Sequence, residues 1–73
     1  MKEKIKIQNG LTETILSFNT KEQCQAMVDA INKCLEDEGK YPTLTYRDKE
    51  GSVIFTATYL KNSLIFIPVN HDN

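Results

Sequence analysis

A chain of 73 residues has room for one small core and removes only about 60% of its unfolded surface from water. Apolar residues make up 40% and charged residues 26%, with 9 Lys and Arg against 10 Asp and Glu for a formal charge of -1. These values exclude the regime of disordered chains, and they leave no global field to draw the chain to nucleic acid or anionic lipid.

From Lys4 to Gln8 apolar and polar residues alternate, and Asn9-Gly10 then marks a two-residue hairpin turn. In the register this turn implies, Ile7 faces Thr12, Lys6 faces Glu13, Ile5 faces Thr14 and Glu3 faces Leu16. Ile5, Ile7, Leu16 and Phe18 then share an apolar face, with Lys6 and Glu13 paired on the other.

Thr20-Lys21-Glu22-Gln23 is a capping-box pattern, and it opens a periodic segment in which Cys24, Met27, Val28, Ile31 and Leu35 recur at helical spacing. A helix is expected over 21–38, with Gly39 as its C′ residue and Pro42 forbidding much continuation. Its two cysteines, Cys24 and Cys34, stand about 15 Å apart on such a helix and cannot bridge. Inert thiols of this kind suit a reducing, cytoplasmic setting. No signal peptide is expected at the N-terminus, and the longest apolar run, Leu64 to Ile67, is too short to cross a membrane.

After Pro42 the period becomes two, and 43–69 is expected to form a three-strand meander with turns at Asp48-Lys49-Glu50-Gly51 and Lys61-Asn62. Leu44, Tyr46, Val53, Phe55, Ala57, Tyr59, Leu64 and Phe66 then line the core face. The other face carries Thr43, Thr45, Arg47, Ser52, Thr56 and Thr58 together with Ile54, Ile65, Ile67 and Val69. The expected fold is therefore α+β in the order ββαβββ, one amphipathic helix on a mostly antiparallel sheet. The chain reads as one domain over 1–73, with a frayed tail at 70–73.

No chemical motif stands out. His71 lies in the tail, Cys24 and Cys34 lie on or beside an apolar stripe, and neither set matches a zinc spacing or a nucleophile with its base. Gly10, Gly39 and Gly51 are each explained by a turn or cap and form no phosphate loop. The acidic run Glu36-Asp37-Glu38 reads as a solvated helix end. No cofactor, metal, small-molecule substrate or enzymatic activity is indicated.

The last strand is apolar on both faces, whereas one helix covers one face of a sheet. Ile54, Ile65, Ile67 and Val69, with Thr56 and Thr58 beside them, are therefore the candidate interface for a protein partner or a second copy of the chain. The alternative is a nucleic-acid surface built from Lys2, Lys4, Lys6, Arg47 and Tyr41, although edge strands also carry Lys to block aggregation.

Overall fold

The computed structural model describes residues 3–68. Lys2, Val69 and His71, with the rest of the expected tail, lie outside the described residues. The fold is α+β. Its elements run β1 (Glu3–Asn9), β2 (Thr12–Phe18), α1 (Lys21–Glu36), β3 (Thr43–Asp48), β4 (Gly51–Thr56), α2 (Ala57–Lys61) and β5 (Leu64–Phe66). Two antiparallel sheets result, one with strand order β2-β1-β5 and one formed by β3 and β4.

The β1–β2 hairpin turns one residue later than expected. Asn9 pairs with Thr12, so Gly10 and Leu11 occupy the turn, and Ile5 faces Leu16 while Ile7 faces Thr14. Gly10 has φ of 60°, and no other residue among those described near this turn needs a positive value, the sign pattern of a type II′ turn. A shift of two in partner numbering preserves the faces. Ile5, Ile7 and Leu16 are fully buried and Phe18 nearly so. Lys6 no longer faces Glu13 directly, yet its Nζ reaches Glu13 Oε2 diagonally at 3.5 Å.

Helix α1 begins at the expected cap. The Thr20 hydroxyl accepts the Gln23 N–H at 3.1 Å, and the Gln23 side chain accepts the N–H of Asn19, one residue before the cap. Cys24, Ile31 and Cys34 are buried, with Met27, Val28, Ala30 and Leu35 packed partly against them. The helix ends two residues before the expected Glu38, because Asp37 serves as the cap. Its N–H donates to the Lys33 carbonyl at 2.9 Å and its carboxylate accepts the Lys40 N–H at 3.1 Å. Gly39 has no positive φ and plays no left-handed capping role.

The β3–β4 hairpin keeps the expected register, with Arg47 opposite Ser52 and Leu44 opposite Phe55. Asp48 Oδ1 accepts the N–H groups of Glu50 and Gly51 at 2.8 and 3.0 Å, which fixes the turn. Leu44, Tyr46 and Phe55 are buried, whereas Val53, expected in the core, remains 42% exposed.

The third strand of the expected meander does not follow β4. Residues Ala57–Lys61 form a short helix, capped by the Thr56 hydroxyl, which accepts the Tyr59 N–H at 3.0 Å. In a helix Ala57 and Leu60 share a face three residues apart, and both are buried, while Tyr59 is half-buried. The Ala57 N–H donates to the Pro42 carbonyl at 2.8 Å, and Lys61 pairs with Glu38 at 2.9 Å. The chain leaves β4 at this corner, and β5 pairs instead with β1, Ile65 opposite Ile7 and Phe66 opposite Lys6. Asn9 Nδ2 donates to Ser63 Oγ at 3.0 Å and ties the end of β1 to the start of that crossing.

The core lies between α1 and the inner faces of both sheets, with Leu60 of α2 closing one end. A tyrosine hydroxyl links the sheets. Tyr46 Oη accepts the Ser17 N–H at 3.1 Å and donates to the Ser17 carbonyl at 3.0 Å. It satisfies the two backbone groups of Ser17, at one position of the β2 edge, as a neighbouring strand would there.

Candidate protein-docking surface

Pairing of β5 with β1 inverts the expected faces of the last strand. Ile7 is buried, so Ile65 opposite it points inward and packs against the core, half-buried. Leu64 and Phe66, expected inside, point outward and are 63% and 48% exposed. This is a correction in placement. The apolar surface of the last strand is carried by Leu64 and Phe66, not by Ile65.

The outer face of the three-stranded sheet follows from the registers. One row across it reads Ile15, Lys6, Phe66, and the next reads Glu13, Gln8, Leu64. Ile15 is 44% exposed, and Leu11 at the hairpin tip is fully so. Lys6 stands between the apolar side chains with its charge engaged, 3.5 Å from Glu13 and 4.6 Å from the centroid of the Phe66 ring. Its aliphatic stem therefore joins Ile15 to Phe66.

The other expected interface residues are dispersed. Ile54 is well exposed on β4, opposite Thr45 in the other sheet. Thr56 serves as the cap of α2, and Thr58 lies within that helix, its carbonyl accepting from Asn62 Nδ2 at 2.9 Å. Thr56 ends β4 opposite Thr43, whereas Thr58 does not lie on a strand face as expected, because the chain turns helical after Thr56. Ile67 is exposed just beyond β5 and lines a shallow groove with Val28 and Pro68.

Of the basic set, Lys4 and Lys6 share the outer face of β1, and Lys6 is already paired with Glu13. Arg47 is exposed on β3. It borders an open groove of about 720 Å³ whose apolar lining includes Phe18, Met27 and Tyr46. Tyr41 is elsewhere, packed partly against the core between the ammonium groups of Lys33 and Lys40.

Both cysteines are free and buried. Burial pushes the Cys24 thiol up, with a further contribution from the negative charge of Glu3, and burial alone pushes Cys34 up. Cys34 Sγ points to the Thr43 carbonyl at 3.6 Å. In these places the thiols are protonated packing groups. Among the described residues no three His, Cys, Asp or Glu side chains converge as a metal site would require, and no helix is long and apolar enough to cross a membrane.

Ile15 was legible as a surface residue from strand parity, since it alternates with Leu16. The outward turn of Leu64 and Phe66 carried no such signal, because it depends on β1 rather than β4 being the neighbour. Comparison with family models, with curated proteins and with solved structures finds no match to this chain.

Proposed function

We propose that this chain is a non-enzymatic protein-binding module that docks through the outer face and last strand of its three-stranded sheet. The observation that carries this is the exposed set Ile15, Leu64 and Phe66, gathered on one sheet face beside an edge strand, with Leu11 at the hairpin tip. Apolar residues scattered singly over a surface need no explanation, but a contiguous group next to an open edge marks an interaction site. Removing the exposed parts of these four side chains from water contributes about 4 to 8 kcal/mol before association costs. Two free thiols support a reducing, cytoplasmic setting for this activity.

The test is capture from extracts of the source cell with wild-type chain as bait, set against L64K/F66K and against Glu22→Lys, which changes an exposed residue on α1. A specific protein, the chain itself included, held by wild type and E22K and lost by L64K/F66K is the expected result. Retention indifferent to L64K/F66K overturns the proposal.

A further inference from the structure

The docking proposal leaves the occupant open, and resting on it, we propose that β5 pairs antiparallel with β5 of a second copy, on a two-fold axis through Ile65. Two three-stranded sheets then merge into one of six strands.

Four observations carry this. The sheet has two edges, and they are treated differently. At β2 the Tyr46 hydroxyl bonds both the N–H and the carbonyl of Ser17, whereas β5 ends the strand order β2-β1-β5 and, among the described residues, no strand pairs with its outer edge. Edge strands usually carry charged guards, yet no charged residue lies between Lys61 and Pro68. A short strand and a proline without an N–H donor bound the ladder without closing it.

The third observation is the register. With Ile65 facing its twin, Leu64 of each copy faces Phe66 of the other, so the outward apolar side chains cover one another. The two outer rows become Ile15, Lys6, Phe66 followed by Leu64, Gln8, Glu13 of the second copy. No like charges are set directly opposite, and each Lys6 already has Glu13 of its own chain at 3.5 Å. The fourth observation lies on the inner face. Ile65 is half-buried at the end of a row whose next member, Ile7, is fully buried. A second Ile65 continues that row and joins the two cores.

So short a ladder gives a contact at the small end of specific interfaces, so pairing depends on concentration. Sedimentation velocity on the full chain, with thiols kept reduced, follows the mass from about 5 to about 500 µM. The expected result is a rise from one copy to two, weakened at least about tenfold by L64K/F66K or by L64E/F66E. An equimolar mixture of those variants should recover a two-copy particle with one of each, because position 64 of one copy faces position 66 of the other. Circular dichroism checks that both variants keep the fold.

Should either variant fail to fold, Leu64→Cys mixed with Phe66→Cys gives an independent measure at exposed positions. Oxidation of the mixture should yield a cross-linked pair faster than oxidation of Leu11→Cys. Wild type that stays a single copy up to the highest concentration overturns the self-pairing. If it does so while still capturing another protein through Leu64 and Phe66, the docking proposal stands without it. A two-copy particle indifferent to both charge variants overturns the β5 geometry.

Discussion

Tyr46→Phe removes a bond pair that joins the two sheets. The substitution keeps the ring, and with it the edge-to-face contact with Phe18 at 5.7 Å between centroids, but removes the hydroxyl that serves Ser17 at 3.1 and 3.0 Å. Two neutral hydrogen bonds contribute about 0.5 to 1.5 kcal/mol each, so the loss has an upper bound of about 3 kcal/mol. Ser17 is itself exposed, and water can re-satisfy part of what is lost. The expected destabilisation is therefore about 1 to 1.5 kcal/mol. In urea unfolding, with a slope near 1 kcal/mol/M for so small a chain, the midpoint should fall by about 1 M with the slope unchanged. Thermal unfolding should shift down by about 4 to 8 °C per kcal/mol lost. A midpoint within about 0.2 M of wild type would show that the hydroxyl contributes no net stability, and a changed slope would show that the denatured state had been altered instead.

Leu60→Ala should cost about 2 to 5 kcal/mol, because Leu60 is only 1% exposed and seals the end of the core from α2; a loss under about 1 kcal/mol by urea titration would mean that the site collapses around the gap. Thr20→Ala removes the acceptor for the Gln23 N–H and should lower stability by about 1 kcal/mol, read by the same titration. The two thiols should resist alkylation in the native chain and react on unfolding. Both are held above their ordinary value by burial, so the native state keeps their protons longer than the unfolded state does. Their contribution to stability is therefore intact below the unfolded thiol value and is lost as pH rises through the higher folded one. A C24A/C34A chain should lose this alkaline slope, and an identical slope with and without the cysteines refutes the assignment.

The local elements were legible where one strong signal acted within the element itself. Strand alternation gave the buried set Ile5, Ile7, Leu16 and Phe18, the Thr20 cap located the start of α1, and Asp48 to Gly51 set the second hairpin in its register. The hairpin turn moved by one residue because Gly10 alone can supply the positive φ that a Gly10-Leu11 turn needs. The segment from Thr56 to Lys61 misled because Thr56-Ala57-Thr58-Tyr59 alternates as a strand does, while a threonine hydroxyl placed to cap Tyr59 makes a helix locally self-sufficient. Once that helix diverts the chain, the neighbour of β5 is decided by long-range packing, which no local pattern encodes. Leu64, Ile65 and Phe66 consequently face opposite to the expected parity, while Ile67 is exposed as expected, and the excess of apolar surface on that segment is readable from Leu64-Ile65-Phe66-Ile67 itself.

The treatment of the two sheet edges bears directly on function. An edge costs nothing in water, where its backbone groups are hydrated, but it invites a second strand whenever its side chains are apolar and uncharged. At β2 Tyr46, from the core of the other sheet, occupies the backbone of Ser17 at one end of the edge, and the polar Glu13 and Ser17 flank Ile15 on its outward face. Among the described residues no side-chain hydroxyl bonds the outer edge of β5 and no charged residue lies on that strand, and Leu64 and Phe66 turn outward beside it. A domain under pressure only to remain solitary would gain by guarding both edges, since a single Lys at position 64 or 66 would do so without touching the core. The asymmetry is what the proposed strand pairing at β5 requires.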